Sequence, residues 1–292
     1  MRVAVTGATG FTGGRIVAEL LRRGCEVTAL VRHPPDRPAL PEQVSVVEGD
    51  MSVPDRLARL LGGADAFVHV ASLGFGHADT LLAAVEASGV RRAVFFSSTA
   101  VFTRLPARTK RVRLAAEECI RSMTGDWTIL RPTMIYGDGG DRNMARLIRF
   151  VARSPIVPLP GGGQALIQPV HVEDLGRAAV DALLCPAAVR REYNLPGASP
   201  ATLREVVQHV AHLLGRRPLL VSLPLRPLAW VTGVWHRLGL PPRVSSEQVL
   251  RLAEDKSFDY EAARRDWGYE PRGWRDGLTT EVAQLRREGV VR

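Results

Sequence analysis

The sequence predicts an α/β fold in which a doubly wound parallel sheet is followed by a smaller C-terminal lobe. Short runs of β-branched residues alternate with helical apolar patterns over the first half of the chain, as in βαβ units. A glycine-rich turn joins the first of these runs to the first helical pattern. After about residue 136, Pro and Gly become frequent and the helical patterns lie further apart. We therefore assign 1–136 to the sheet core and most of 137–292 to the lobe.

Strands and helices can be placed in order along the first half. Six strands are predicted, at 2–6, 26–32, 44–50, 65–72, 92–98 and 127–132. Helices are predicted at 14–23, 55–63 and 79–88, and in a fourth segment whose apolar face runs from Val112 to Met123. In the first helix, Ile16 and Leu20 lie on one face, and Gly24 is placed to end it. Ligands of doubly wound sheets bind outside the carboxyl ends of the strands, so the lobe is expected to close over that edge and to hold the substrate.

The composition is that of an ordinary globular protein, with 292 residues, 46% apolar and 24% charged side chains and a net charge of +9. The positive charge favours anionic partners, although an arginine-rich solvated surface explains it equally well. No motif for reading nucleic acid accompanies the charge. Three widely spaced cysteines argue against a disulfide framework and a metal site. Because a strand begins at residue 2, we expect no signal peptide and a cytoplasmic protein.

The turn after the first strand reads TGATGFTGG, and its Gly7, Gly10 and Gly13 have the spacing of a dinucleotide-binding loop. The first glycine permits a tight turn, the second lets the backbone approach a pyrophosphate, and the third lets the helix pack closely on the strand. The N–H groups and partial positive charge of the helix N-terminus then face the phosphates. The loop lies between a predicted strand and a predicted helix, as this spacing requires. We therefore predict a bound dinucleotide.

The end of the second strand predicts which dinucleotide binds. Sites for NAD usually carry Asp or Glu there, which holds the 2′-hydroxyl of the ribose. This chain has Val31 and Arg32 instead, and the next acidic residue is Asp36. A guanidinium suits a 2′-phosphate, so we predict that NADP(H) is preferred over NAD(H). The alternative is that Arg32 is a solvated strand end.

Further motifs follow the glycine loop in a recognisable order. They are GDM at 49–51, HVAS at 69–72, FFSSTAVF at 95–102, LRPTMIYG at 130–137 and QPVHVEDLGRA at 168–178. With these motifs the chain resembles short-chain dehydrogenases/reductases of the extended or atypical kind, which are similar to nucleotide-sugar epimerases and dehydratases. It most resembles the atypical branch that includes the NAD(P)H-binding accessory subunit of respiratory complex I. The resemblance implies a Rossmann-type sheet to which about 165–185 returns from the lobe.

The resemblance also implies the residues of the cofactor site. Together with the glycine loop and Arg32, it gives the following set: Gly7, Thr9, Gly10, Phe11, Thr12, Gly13, Arg32, Asp50, Met51, Ala71, Ser72, Ser97, Arg113, Pro132 and Thr133. Asp50 corresponds to the residue that contacts the adenine in the family. Arg113 occupies the place of the lysine that holds the nicotinamide ribose.

The family's catalytic pair is absent from this chain. Members use a tyrosine and a lysine in a Y-x-x-x-K motif, and here those places hold Thr109 and Arg113. A threonine hydroxyl titrates far above neutral pH and cannot replace the tyrosine as acid or base. Arg113 keeps its charge but cannot share a proton. Any catalysis must therefore use other groups.

Three side chains are retained as catalytic candidates: Ser98, Lys110 and Tyr136. Ser98 lies in the family's position for the Ser or Thr that orients the substrate oxygen. Lys110 could serve as a base if it were desolvated, and the alternative is that it belongs to a solvated basic helix face. Tyr136 follows the sixth strand near the site, but relatives with the normal catalytic pair share it, which favours a structural role. His171 suits hydrogen bonding at a helix entry better than proton transfer.

Three functions follow from these observations. The first is an NADP(H)-dependent oxidoreductase that acts on a small or apolar carbonyl-type substrate. The second is a catalytically silent NADP(H)-binding protein with a structural or redox-sensing role in a larger assembly. The third is a nucleotide-sugar epimerase or dehydratase. The third is disfavoured because Ile167 stands where such enzymes usually carry the arginine that clamps the diphosphate.

Two further features bear on partners. The apolar segment 219–239 also carries a few cations, so it could be a lid, a surface that meets a membrane or a protein, or a packed lobe helix. Members of the family often dimerise through the helices that follow the fourth and fifth strands. The basic run 108–113 lies on the second of these helices and could oppose a homodimer.

Overall fold

The structure is a computed structural model and describes residues 1–32, 40–141, 143–224, 251 and 254–291. The described helices and strands, in chain order, are β1 (Arg2–Thr6), α1 (Phe11–Arg22), β2 (Glu26–Val31), β3 (Ser45–Glu48), α2 (Pro54–Leu61), β4 (Ala66–His69), α3 (Ala78–Ser88), β5 (Arg92–Phe96), α4 (Arg108–Ser122), β6 (Asp126–Pro132), β7 (Ile135–Tyr136), α5 (Met144–Arg153), β8 (Ile156–Pro160), β9 (Leu166–Ile167), β10 (Val170–His171), α6 (Val172–Leu184), β11 (Arg191–Leu195), β12 (Ala201–Thr202), α7 (Leu203–Leu213), β13 (Leu219–Leu223), α8 (Glu261–Trp267) and α9 (Trp274–Arg287).

Seven strands form one sheet in the order β11-β6-β5-β4-β1-β2-β3, and every neighbouring pair is parallel. The central strands carry continuous apolar runs, such as the fully buried AFVH of β4, because helices cover both faces. The chain starts at β1, runs outward to β3, and then returns across β1 to β4, which makes the sheet doubly wound. The predicted α/β fold and parallel sheet are confirmed.

Each face of the sheet has its own apolar core. Ile16 and Leu20 of α1 pack on one face, together with Leu175 of α6 and Ala263 of α8. Leu57 of α2, Leu81 of α3 and Ile120 of α4 belong to the core of the other face. Pro54 occupies the first turn of α2, and Gly89 ends α3 in a left-handed conformation, as expected from the helix preferences of proline and glycine.

A third apolar core lies in the second half of the chain. It joins Ile148 of α5, Val207 of α7 and Leu278 of α9. The Thr202 side chain accepts a hydrogen bond from the backbone N–H of Glu205, and the Glu205 side chain accepts one from the Thr202 backbone, so a capping box fixes the start of α7. Because α6 packs along α1 and β11 extends the sheet beyond β6, the second half of the chain contributes both to this third core and to the sheet.

The segment 219–239, predicted as a lid or contact surface, is described only in its first part. Residues 219–223 form β13, which pairs in parallel with β8, and 225–239 lie outside the described residues. None of the helices that the structure describes is both long and apolar enough to cross a membrane.

Candidate functional site

The glycine loop is a tight turn at the carboxyl end of β1 that leaves no room for side chains. Gly7 has φ +77°, which favours glycine, and a Cβ at this position would lie 2.7 Å from the Ala71 backbone nitrogen. A Cβ at Gly13 would collide with the Gly7 carbonyl group, whose carbon would be 2.8 Å away. The N–H of Gly10 donates to the Gly7 carbonyl oxygen at 3.0 Å. The first glycine therefore makes the turn, and the third brings α1 against it.

The loop leads into the N-terminus of α1, where no side chain caps the first backbone N–H groups of the helix. Gly10 is the N-cap residue and has no side chain to accept from the first turn, and no acidic residue lies in that turn. The first N–H groups of a helix have no partner within the helix, and the helix dipole adds a partial positive charge there. Gly10 is exposed and Phe11 and Thr12 are half-buried. This end of α1 can therefore receive the phosphates of a ligand.

The structure brings the predicted cofactor-binding residues to a single edge of the sheet. Each group follows a parallel strand: the loop of Gly7, Thr9, Gly10, Phe11, Thr12 and Gly13 after β1, Arg32 after β2, Asp50 and Met51 after β3, Ala71 and Ser72 after β4, Ser97 after β5, and Pro132 and Thr133 at the end of β6. The carboxyl ends of parallel strands share one edge, so these residues form a row along that edge. Their contacts with a cofactor stay a prediction.

Two polar groups in this row fit a ligand with hydrogen-bonding oxygens. The Ser97 Oγ is buried and has no hydrogen-bond partner within the described part of the chain, whereas buried hydroxyls normally have one. Arg113 reaches from α4 to the loop after β4, where its Nη2 lies 3.4 Å from the Ser72 Oγ. Burial and the nearby Arg251 lower the pKa of Arg113, while Glu117 opposes them. A partly desolvated cation thus borders the place where the family's lysine holds a ribose.

Arg32 and Asp50 form a small charged corner after β2 and β3. Arg32 is exposed. The Asp50 Oδ1 accepts from the Ser52 backbone N–H at 2.9 Å. Hydrogen bonds from Ser52 lower the pKa of Asp50, and the positive charge of Arg32 lowers it further. A fixed carboxylate therefore stands near a guanidinium that faces water.

A cleft of about 1190 Å³ continues from the glycine loop toward the second half of the chain. Phe11, Ser98 and Thr133 line its side nearest the sheet. Residues of the C-terminal part of the chain also line it, among them Glu254, Lys256 and Phe258. The size suits a small-molecule ligand. The cleft therefore adjoins the predicted nicotinamide end of the cofactor row.

Comparison with known proteins gives the family. A sequence model described as NAD(P)H-binding matches residues 7–152, which is half of the chain. The chain belongs to the NAD(P)H-binding family. A ceramide reductase of Caulobacter vibrioides is 33% identical over 234 residues, which cover 76% of this chain and 73% of the relative. A 3 beta-hydroxysteroid dehydrogenase/Delta 5→4-isomerase of Mycobacterium tuberculosis is 29% identical over 92% of this chain and 86% of the relative.

Other relatives agree with the predicted branch and fold. The mitochondrial NADH dehydrogenase (ubiquinone) 1 alpha subcomplex subunit 9 of Arabidopsis thaliana is 28% identical over 77% of this chain and 60% of its own. The solved structure of gox2253 has a TM-score of 0.82 and 25% identity, and the alignment covers 100% of this chain and 99% of the other. That of MoeE5 in complex with UDP-glucose and NAD has a TM-score of 0.76 and 24% identity over 99% of both chains. The predicted assignment to the atypical short-chain dehydrogenases/reductases is confirmed, and the residues of the row fit an NAD(P)H cofactor.

Of the catalytic candidates in this NAD(P)H-binding protein, Ser98 lines the cleft and Lys110 supports its rim. The Ser98 Oγ accepts from the Ala100 backbone N–H at 3.2 Å, and its hydroxyl proton can still be donated into the cleft. Lys110 donates from Nζ to the Thr103 carbonyl oxygen at 2.5 Å, which holds the loop between β5 and α4. The geometry thus favours contact with a substrate for Ser98 and a positioning role for Lys110, and both catalytic roles stay predictions.

Tyr136 lies in the apolar core of the second half of the chain rather than along the cleft. Its side chain is fully buried, and its ring packs edge-on against His171 with centroids 5.3 Å apart. Burial raises the pKa of Tyr136 well above its ordinary value, which opposes proton transfer at neutral pH. His171 accepts the Glu173 backbone N–H at 3.3 Å and so caps α6. The geometry favours structural roles for both rings.

The wall of the cleft formed by 254–258 was missed by sequence reasoning. The Glu254 carboxylate accepts from the Thr103 hydroxyl at 2.5 Å and from the Arg104 backbone N–H at 2.7 Å. The Phe258 ring lies 5.6 Å from the ring of Phe102. This segment is about 150 residues from its partners in the chain, and no periodicity links the two. The one signal that could have found it is Lys256, since the chain contains only two lysines.

Proposed function

We propose that the protein is an NADP(H)-dependent oxidoreductase that interconverts a ketone and an alcohol on an apolar, lipid-like substrate. The observation that carries the proposal is the large cleft that runs from the glycine loop past Ser98. A bound nicotinamide would supply hydride transfer, for which close approach of the substrate carbon is the main requirement. The glycine loop would hold the pyrophosphate, and the Ser98 hydroxyl would donate a hydrogen bond to the substrate oxygen.

The lining of the cleft supports an apolar substrate. Aromatic or aliphatic side chains form part of this lining: Phe11, Phe102, Met134, Ile135 and Phe258. Burial of a hydrocarbon against such a surface stabilises a complex by about 25 cal/mol for each Å² removed from water. The two relatives with high coverage support the same class, because one is named for ceramide and the other for hydroxysteroids.

The experiment begins with the cofactor and then adds substrates. NADPH and NADH are titrated against the purified protein by calorimetry, and we expect binding of both with NADPH the tighter. Oxidation of NADPH is then followed with an oxidised ceramide that carries a ketone and with a 3-oxosteroid. We expect turnover of at least one of these lipids and none of short water-soluble ketones. Bound NADPH that persists with every lipid ketone would overturn the oxidoreductase.

A silent cofactor-binding protein is the second candidate. The observation that favours it is that Thr109 and Arg113 replace the family's tyrosine and lysine, so the usual proton donor is missing. The similarity to subunit 9 of the Arabidopsis complex supports it as well. Tight NADPH binding without turnover, together with a rise in the melting temperature, would select this candidate.

The predictions about a nucleotide-sugar substrate, a homodimer, the segment 219–239 and the cellular location do not depend on whether the protein is an oxidoreductase or a silent cofactor-binding protein. A nucleotide-sugar epimerase stays disfavoured, since Ile167 supplies no cation for a diphosphate. A homodimer through α3 and α4, contact of 219–239 with a membrane or a protein, and a cytoplasmic location stay predictions. Sedimentation of the purified protein with and without NADPH tests the first of these.

A further inference from the structure

The chain uses lysine only twice among its 39 lysine and arginine residues. Lys110 donates from Nζ to the Thr103 carbonyl oxygen at 2.5 Å, and Lys256 lies in the segment whose Glu254 binds the Thr103 hydroxyl. Both lysines therefore stand beside the same rim of the cleft. Arginine remains charged in proteins, whereas a buried lysine can lose its proton near neutral pH. The lysine side chains of this arginine-rich chain are therefore the cationic groups that can donate a proton and take it back.

The backbone around Lys256 holds it on the inner face of the wall. Half-buried and exposed residues alternate from 254 to 260, so Glu254, Lys256 and Phe258 share one side of an extended segment. Glu254 binds Thr103, and Phe258 packs on Phe102. Lys256 lies between these two contacts and lines the same cleft as Ser98.

The wall itself is anchored to β9 and to Gln168, which follows β9. The Lys256 backbone N–H donates to the Leu166 carbonyl oxygen at 2.8 Å, and the Leu166 N–H donates to the Asp255 Oδ1 at 2.8 Å. The Phe258 N–H donates to the Gln168 Oε1 at 2.9 Å. These bonds on either side of Lys256 fix its Cα and limit the arc that its side chain can reach.

The Lys256 ammonium has N–H groups that no acceptor in the described residues uses. Its Nζ donates to the Arg251 carbonyl oxygen at 2.6 Å, and within the described ranges this is the single acceptor of its three N–H groups. Burial lowers the pKa of Lys256, the charge of Arg251 lowers it further, and Glu254 opposes both. The two remaining N–H groups can face a ligand in the cleft.

We propose that Lys256 donates the proton that the missing tyrosine would supply to the substrate oxygen. This inference rests on the proposed oxidoreductase function. In the direction of reduction, the carbonyl carbon gains a hydride from the reduced nicotinamide, which is oxidised. The carbonyl oxygen gains a proton from the Lys256 ammonium. The products are an alcohol, the oxidised cofactor and a neutral amine, which recovers its proton from water through the open cleft.

Lys110 has a different role in this arrangement. It lies in the first turn of α4, its Nζ bonds a backbone carbonyl, and it is not part of the cleft lining among the residues described. It is a positioning residue that holds the loop carrying Thr103. Loss of Lys110 is therefore expected to loosen the rim without removing the proton donor.

The first test needs no turnover. The two lysines are labelled by reductive methylation with ¹³C, and a Lys256→Arg variant assigns the Lys256 signal. A pH titration by NMR is expected to give a pKa for Lys256 below the ordinary lysine value of about 10.4, and its signal is expected to shift on addition of NADPH with a lipid ketone. A Lys256 signal that titrates as an exposed lysine and ignores the added ligands would overturn the proposal.

The second test uses the lipid ketones named above. Lys256→Met and Lys256→Arg are each expected to lower kcat roughly 100-fold, within the range for loss of a general acid, while the Kd for NADPH changes less than about twofold. The arginine variant keeps the charge, so its failure separates proton donation from electrostatic attraction. The exposed Arg59→Met on α2 is the matched control and should leave kcat unchanged. In the wild type, the rate of reduction should fall as pH rises through the pKa of Lys256.

The outcomes separate the two proposals. A Lys256→Arg variant with the wild-type rate, or a larger loss in Lys110→Met than in Lys256→Met, would overturn the role of Lys256 and leave the oxidoreductase standing. Absence of turnover for all ketones with the wild type, despite bound NADPH, would overturn both.

Discussion

The two sides of the cleft are built in different ways. The cofactor side is shaped by the backbone: Gly7 and Gly13 are required because a Cβ would collide with neighbouring main-chain atoms. The substrate side is shaped by side chains from distant segments, such as Glu254 on Thr103 and Phe258 on Phe102. Backbone constraints tolerate almost no substitution, whereas a wall of side chains can change while the fold stays the same. This difference explains how the chain can keep a cofactor site while the family's tyrosine and lysine are lost.

The largest effect is expected on the cofactor side. Gly13→Ala forces a Cβ against the Gly7 carbonyl and so displaces the loop, which should weaken NADPH binding roughly 100-fold, or about 2.8 kcal/mol. Gly14→Ala is the matched control, because its Cβ would lie 3.9 Å from the Ala8 carbonyl oxygen, an ordinary van der Waals distance. In the interior of α1 this change should stabilise the protein by about 1 kcal/mol. Calorimetry and thermal melts measure both; equal NADPH affinity in the two variants would show that the loop does not hold the pyrophosphate.

The next effect concerns Ser98, which lines the cleft beside the predicted cofactor site. Ser98→Ala removes a hydroxyl that lines the cleft and should lower turnover roughly 100-fold, a loss typical of one donor to a developing oxyanion. NADPH affinity should stay within about twofold of the wild type. Ser88→Ala at the end of α3 removes a comparable hydroxyl far from the cleft, where Ser88 donates to the Val85 carbonyl, and should not alter kcat. An unchanged rate in Ser98→Ala would remove this residue from the mechanism.

The same difference between the two sides decides what the sequence could predict. Local pattern was enough for the glycine loop, α1 and the first six strands, because each depends on neighbours in the chain. The sequence predicted that α1 starts at residue 14, but the helix begins at Phe11. The prediction was late because the glycines before residue 14 add nothing to an apolar helix face. The edge strand β11 (REYNL) was not predicted, because it mixes polar with apolar residues and its pairing with β6 is long-range.

The substrate side was beyond sequence reasoning for a physical reason. The contacts of Glu254 and Phe258 join segments about 150 residues apart, and neither residue type marks a wall by itself. Tyr136 was retained as a candidate because it follows the sixth strand, although a structural role was favoured. The pairing of β7 with β10 instead carries it beside His171 and into the apolar core. Sequence order gives the strand that a residue follows, but the direction of its side chain depends on tertiary packing.

The substrate side also carries a buried carboxyl group that should make stability depend on pH. Glu281 of α9 is fully buried, and its oxygens have no hydrogen-bond partner among the described residues. Burial, with a contribution from the cleft-lining Asp141, raises the pKa of Glu281 to about 9. The folded state thus binds this proton more tightly than the unfolded state does. The stabilisation is fully present below about pH 4.5 and is lost as pH rises toward 9.

Glu281→Gln should therefore stabilise the protein at pH 8 by about 1–3 kcal/mol, the usual cost of burying an uncompensated polar group. At pH 5 the gain should be smaller, because the carboxyl group is then partly protonated in the unfolded state as well, and protonating it on folding costs less free energy. The exposed Glu86→Gln on α3 is the control and should leave the pH dependence unchanged. Urea unfolding at the two pH values measures the difference. A variant that gains equally at both would show that Glu281 is not protonated on folding.

The smallest effect sharpens the identity of the cofactor. Arg32 is exposed at the end of β2, where its charge acts on Asp50, and a guanidinium there can pair with a 2′-phosphate. Arg32→Ala should weaken NADPH binding roughly tenfold, or about 1.4 kcal/mol, and NADH binding less than about twofold. Because the side chain faces water, the NADPH effect should shrink as salt is raised. Arg59→Ala, an equally exposed arginine on α2, should change neither affinity. If NADH binds more tightly than NADPH to the wild type, the cofactor side selects NAD(H), and Arg32 is a solvated strand end.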